Sequence, residues 1–290
     1  MNSPVRHSPA IGRLLGLVWV LFVSVAISYS LQPTSSGFTA AIANSTNTAA
    51  SATWFTCNNA YSFWAPTNLL FGYPLTDAAN AVSATDLSGN STANRYRGSH
   101  TVTAGATSCP RDASASAYTL NGTTSYIANT AVVAAPSTYA AMVWFKTSAA
   151  QGQLAGYGNN NNGNSTTHDR QVYIDSTGKI QFYVNPTVGA RYAASTSTYN
   201  DGAWHFVVAQ QSPALGMQLY VDGLLVGSNA TATSAAVYNG NWRFGGDVLT
   251  GLTNAPTSGF VSGQLRFAGS TNTTLSATQI AAIYRSGTAN

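Results

Sequence analysis

Chemistry in this 290-residue chain has few ionisable groups to draw on, and the densest collection is the run GYGNNNNGNSTTHDR, from Gly156 to Arg170. It is too polar to pack, it joins two expected strands, and it ends in His168-Asp169-Arg170. Amides, a carboxylate, an imidazole and a guanidinium on one loop suit a hydroxyl-rich ligand, and loops on a rigid scaffold are where binding residues concentrate. Such a ligand also needs an aromatic face for its C–H surface. The candidate ligand-binding residues are therefore Tyr157, Asn160, Asn162, His168, Asp169, Arg170 and Trp242. The competing explanation is a flexible loop closed by a structural Asp169–Arg170 contact.

Other chemistries are poorly supplied. All eight acids are Asp, and there is no Glu. Hydrolysis by paired carboxyl groups needs two of them about 5–5.5 Å apart in a retaining mechanism. The acids closest in sequence, Asp169 and Asp175, would lie about 20 Å apart along an extended strand. There is no GxSxG turn, and His100, His168 and His205 stand apart without an activated nucleophile. For metals, Asp86 and Asn90 in DLSGN, and Asp247 after Gly245-Gly246, offer the oxygen ligands that calcium uses. Asx turns account for the same residues without an ion. No cofactor is required, and calcium is the one left open.

Charged residues make up 7% of the chain, against about 25% in ordinary soluble domains, so solubility rests on Asn, Ser and Thr. The formal charge of +4 includes Arg6 and Arg13, which precede the apolar run LLGLVWVLFVSVAI from Leu14 to Ile27. A basic flank, an apolar run and small residues at Ser28 and Ser30 are the parts of a secretory signal over 1–30. Because the apolar run extends to Leu31, an uncleaved membrane anchor is the alternative. Either places the remainder outside the cytoplasmic membrane, secreted or at the cell surface, with membrane contact expected only if the segment is uncleaved. Past the signal, ten basic residues face eight acids with no Lys/Arg cluster, so nucleic acid is not an expected partner. In an oxidising compartment the lone pair Cys57 and Cys109 is expected to form a disulfide.

The elements that must position these groups are short β-prone runs separated by Gly/Asn/Ser/Thr turns. Strands are expected over 69–75, 95–103, 116–120, 125–128, 139–147, 170–175, 179–184, 203–210, 217–221, 224–228, 242–246 and 261–269. Asp222-Gly223 suits a two-residue hairpin turn, which needs positive φ at both central positions. Around it Met217, Leu219 and Val221 alternate with polar neighbours, as core positions do, and Trp204 reads as a packing anchor. One helix is expected near the C-terminus, with Ser276 and Gln279 as a capping box, Ile280, Ile283 and Tyr284 as its apolar face, and Gly287 to end it.

The order DGAWHFVVAQQ, GMQLYVDGLLVGS, NWRFGGD, SGQLRFAG and TLSATQIAAIY resembles the laminin-G-like branch of the concanavalin A-like lectin/glucanase jelly rolls. DLSGN at 86–90 and a strand pair around Asn121-Gly122 resemble that family's opening elements. One departure is Arg266, where the family usually carries an acid. The resemblance implies an all-β, antiparallel two-sheet sandwich over 69–286 with one short C-terminal helix, preceded by an N-terminal strand and linker over 31–68. It also implies a lectin-like module that binds a glycan or another cell-surface polymer; the absence of Glu makes that module non-catalytic, and the expected Cys57–Cys109 bridge, which holds the N-terminal strand near its own domain, favours a monomer. The alternative is a structural surface or fibre subunit that self-associates through its N-terminal strand. Phe38, Ala40 and Ile42 supply that strand's pattern, and the segment from Phe38 resembles the opening of exported matrix-fibre proteins.

Overall fold

The computed structural model describes residues 56–64, 68–90 and 92–288. The expected signal or anchor over 1–30 and the strand at Phe38–Ala43 lie outside the described residues.

Two antiparallel sheets face each other. In spatial order the first holds β14 (Leu224–Asn229), β13 (Gly216–Val221), β12 (Trp204–Ser212), β7 (Tyr139–Lys146), β16 (Ser262–Thr271), β4 (Ala117–Asn121) and β3 (Thr101–Thr103). Residues Leu69–Tyr73 form β1, which continues the line of β4 by pairing with the second half of β16. The second sheet runs β11 (Arg191–Thr198), β10 (Lys179–Val184), β9 (His168–Ile174), β8 (Gln153–Gly158), β15 (Asn239–Phe244), β5 (Tyr126–Asn129) and β2 (Asn94–Arg97), with β6 (Val133–Ala134) also on β15. This is the two-sheet jelly roll that the alternating pattern implies. Met217, Leu219 and Val221 enter the core between the sheets, facing Ile174, Phe182 and Trp242 among others.

Local chemistry sets the turns. Asp222 and Gly223 take φ of 53° and 79° between paired Val221 and Leu224, as a two-residue hairpin demands. At the Asn121-Gly122 turn the result differs from the expected strand pair. Asn121 Oδ1 accepts from the N–H groups of Thr123, Thr124 and Ser125, and the chain crosses from the first sheet to the second. The expected strand 95–103 is likewise divided, because Gly98, at φ 67°, passes against the Thr124 carbonyl and sends the chain from β2 to β3 in the opposite sheet.

The outer face of the first sheet is covered by two helices, α1 (Cys57–Trp64) and α2 (Ala277–Thr288). Tyr61, Phe206, Val208, Ile280 and Ile283 pack around Trp144, whose ring stacks on Tyr284 at 5.7 Å. Ser276 and Gln279 make the reciprocal cap at the start of α2. Gly287 lies inside α2, not beyond its end, and its lack of a side chain lets the helix pack on the Trp144 ring, which any Cβ there would meet. The first helix lies in the segment expected as strand and linker. It is tied down by the Cys57–Cys109 disulfide and capped by Asp112, which accepts from the N–H groups of Cys57 and Asn58 at 2.8 and 2.9 Å. Arg266 sits on the same face. A bulge with φ 47° at Phe267 turns both residues outward, and the buried guanidinium donates to the carbonyls of Ser108 and Ser114. Burial pulls its pKa down to about 10.

Candidate functional site

The polar loop spans 159–167, between β8 and β9. Asn159 closes it, its N–H donating to Thr167 O at 3.0 Å while its Oδ1 accepts from the N–H groups of Thr166 and Thr167. From beneath, fully buried Arg243 on β15 donates to the carbonyls of Asn160 and Gly163 at 2.7 and 2.6 Å and to Gly246 O through Nε and Nη2. Its guanidinium lies 4.1 Å from the Tyr126 ring centroid and 3.3 Å from Asp247 Oδ2. Burial lowers the Arg243 pKa, and Asp247 opposes that shift. The other Asp247 oxygen accepts from Ser165 N at 2.9 Å. Arg97 donates to Asn161 O at 3.0 Å, and Tyr126 Oη accepts from Gly163 N at 2.8 Å. Gly158 has no side chain because Ser165 Oγ and Asp247 Oδ2 occupy the space where its Cβ would be.

The loop backbone is thus consumed by buried donors and acceptors, while Asn159, Asn162, Asn164, Thr166 and Thr167 stand in solvent and Asn160 is half-buried. Three of the seven candidates, Asn160, Asn162 and His168, reach the surface. The other four are buried, and the structure gives them different work.

Trp242 is 1% exposed and packs in the core against Tyr139 and Tyr157, at ring separations of 5.4 and 5.6 Å, so no sugar can stack on it. Tyr157 directs its hydroxyl to Val133 O. The Asp169 carboxylate accepts from the N–H groups of Arg170, Asn185 and Ala236, the last at 2.6 Å. Arg170, at φ 52° in a bulge of β9, donates to Pro136 O at 2.8 Å and Ala236 O at 3.0 Å between the rings of Tyr139 and Tyr157. Burial pushes the Asp169 pKa up against the opposing pull of Arg170. The Asp169–Arg170 contact is therefore a structural clasp. Sequence reasoning missed Arg243, Arg97 and Tyr126. The available signal was an arginine at a core-flanking position of the β-prone run NWRF with an acid four residues on.

The carboxylates share one habit: each of the eight Asp accepts at least one backbone N–H. Asp86 takes the N–H groups of Gly72, Ser88 and Thr92, and Asn90 donates to Leu69 O, so the DLSGN turn is held by its own hydrogen bonds. Asp247 faces a guanidinium. Neither turn shares ligands with the other. Cys57, Cys109 and Asp112 hold ligand atoms within 4.8 Å of one another, a grouping that could bind a metal were the thiols free. Here the sulfurs are bonded to each other and Asp112 caps α1. His205 contacts Asp222 at 2.7 Å through Nδ1 and Asp201 at 3.0 Å through Nε2. With both ring nitrogens on carboxylates, neither is left to activate a nucleophile.

Residues 121–281 match the model of the concanavalin A-like lectin/glucanases superfamily. Similar solved structures include the botulinum neurotoxin serotype G binding domain (TM-score 0.53, 13% identity, 75% of this chain and 50% of that one) and the binding domain of Paraclostridial Mosquitocidal Protein 1 (TM-score 0.52, 14% identity, 75% and 52%). The match covers about half the length of each of those toxin domains. A third is domain 4 of AbnA, an extracellular GH43 arabinanase from Geobacillus stearothermophilus, solved with arabinotriose (TM-score 0.53, 14% identity, 74% and 98%). At these identities the likeness is one of fold. No curated protein matches the sequence. Sandwich topology, strand order and a family match over more than half its length agree, and the chain belongs to the concanavalin A-like lectin/glucanases superfamily.

Proposed function

We propose that this chain is an exported, non-catalytic module that binds a glycan or another surface polymer as a monomer, through the exposed amides and hydroxyls of the 159–168 loop. The observation that carries this reading is the fixed loop backbone, held by Arg243, Arg97 and Asp247 while Asn162 and Asn164 face outward beside half-buried Asn160. A loop already ordered loses little conformational entropy on binding, which is where weak polar contacts otherwise fail. Neutral amides suit neutral hydroxyls, because they donate and accept without the desolvation cost of a charge. All eight carboxylates are engaged with backbone N–H groups, which argues against acid–base chemistry at this surface. Related folds in toxin binding domains and in domain 4 of an extracellular arabinanase, solved with arabinotriose, support the same reading.

The test is affinity electrophoresis of the full chain through gels containing arabinan, xyloglucan, laminarin or sialylated glycoprotein, beside Asn162→Ala/Asn164→Ala. Retention of the wild-type chain on at least one polymer, lost in the double variant with Tm unchanged, is the expected result. Equal retention of both would remove the loop from the site, and release of reducing ends would overturn the non-catalytic reading.

A further inference from the structure

Eight large aliphatic residues are exposed among the described residues, and five of them collect at one end of the sandwich. Val132 and Val133 lie before β7, Val188 in the β10–β11 turn, Leu215 in the β12–β13 turn and Val237 before β15. Val237, Val188 and Val132 are 93%, 71% and 62% exposed, so they project from the surface and do not line a groove.

The four loops are held as one unit. Asp169 receives the N–H groups of Asn185 and Ala236, and Arg170 donates to the carbonyls of Pro136 and Ala236. Gln211 joins the remaining turn, donating to Ala232 O and Ser234 O, each at 2.8 Å. Segments 130–138, 185–190, 213–215 and 230–238 contain no Asp, Glu, Lys or Arg. Arg191, just after the second, is folded back onto the carbonyls of Gly189 and Ala190. At the opposite end stand Lys146, Asp175, Lys179, Asp201, His205 and Asp222, brought together by the pairing of Lys146 with Trp204 and by the Tyr199 N–H donating to Gly178 O.

We propose that the surface of these four uncharged loops, beside the half-buried Asp86 turn whose carboxylate is taken up by backbone N–H groups, is lipid-contacting, its aliphatic tips entering the boundary between headgroups and acyl chains of a bilayer independently of the N-terminal apolar segment. The chemistry selects that occupant. A protein partner fitted to this end would be expected to meet aromatic or arginine anchors set in pockets, and none of the four segments offers an exposed one. A glycan would use planar polar groups, which belong to the neighbouring 159–167 loop. A bilayer asks for separate protruding aliphatic groups and the absence of ionised side chains, since each charge carried inward is costly. The ionic clasp lies beneath the tips, buried and paired, so it orders the loops without facing the lipid.

The full chain tests this with an environment-sensitive nitrobenzoxadiazole label at Val237→Cys or Val188→Cys, and at Ser176→Cys on the opposite end, mixed with phosphatidylcholine vesicles. The expected result is a blue shift and brightening at 237 and 188 but not at 176, unchanged by 0.5 M salt because contact is not ionic. Adding Val132→Asp and Val188→Asp to the 237-labelled chain should weaken its vesicle response at least about tenfold while Tm is retained. No shift at 237 and 188, or an equal shift at 176, would overturn the proposal. So would a shift that needs no lipid and grows with protein concentration, which would assign this end to a second copy of the chain.

Discussion

The outer faces of the two sheets are covered by opposite means. Over the first sheet lie two helices whose Tyr61, Ile280 and Ile283 pack on Trp144, Phe206 and Val208, locked by a disulfide. Over part of the second lies a loop held mainly through its backbone by Arg243, Asp247 and Arg97, with the side chains of Asn159, Asn160 and Asn161 closing it and those of Asn162 and Asn164 left in solvent. An apolar cover spends its side chains on the protein. A cover held mainly by its main chain leaves part of its side chains, here Asn162 and Asn164, free for a ligand, at the cost of burying a cation and an anion beneath it.

Breaking the polar cover should have the largest effect. Arg243→Met leaves Asp247 an unpaired buried carboxylate, and removing one partner of such a pair costs about 3–5 kcal/mol. The double variant Arg243→Met/Asp247→Asn should recover part of that loss in urea unfolding, whereas equal loss in both would mean that the guanidinium acts through the loop carbonyls alone. Breaking the apolar cover comes next. Replacing Cys57 and Cys109 by Ser opens a loop with a sequence separation of 52, worth about 4 kcal/mol on the chain-entropy model. Glycan retention should persist at temperatures where that variant is folded, because the second sheet does not depend on the helices.

A smaller effect sharpens the contrast between the ends of the sandwich. Burial opposes the charge on His205, but the hydrogen bonds and charges of Asp222 and Asp201 outweigh it, and its pKa is raised. A raised folded value means that this stabilisation is full below the ordinary imidazole pKa near 6.5 and is lost as pH rises through the folded value. Tm should therefore decline modestly above about pH 6.5, and His205→Gln should flatten the profile. An unchanged decline in that variant would place the titration elsewhere.

Legibility in the sequence followed how local each device is. The Asp222-Gly223 turn, the Ser276–Gln279 box and the alternation of Met217, Leu219 and Val221 are set within a few residues, and each is found as read. Strand β8 reads as a loop from Gly156 because its glycines make room for Gln153 of the same strand and for Gln171 and Ser165 from elsewhere. Strand β11 is an edge with a mostly exposed polar pattern, so no apolar period marks it. Helix α1 begins with Cys-Asn-Asn and takes its cap from Asp112, 55 residues away for Cys57. At the candidate site the polar run is legible, but its division of labour is not. Whether Asp169 and Arg170 meet a ligand, or instead Asp169 takes the N–H groups of Asn185 and Ala236 and Arg170 the carbonyls of Pro136 and Ala236, depends on loops distant in sequence.

Hydrogen–deuterium exchange of the full chain, with and without the polymer that retains it, tests most directly whether the loop held by its main chain is the binding surface. The account predicts added protection concentrated in peptides covering 159–168, with those from α1, α2 and β12 unchanged. Protection confined to another face, such as Tyr183 and Tyr192 on β10 and β11, with the 159–168 peptides unmoved, would contradict it.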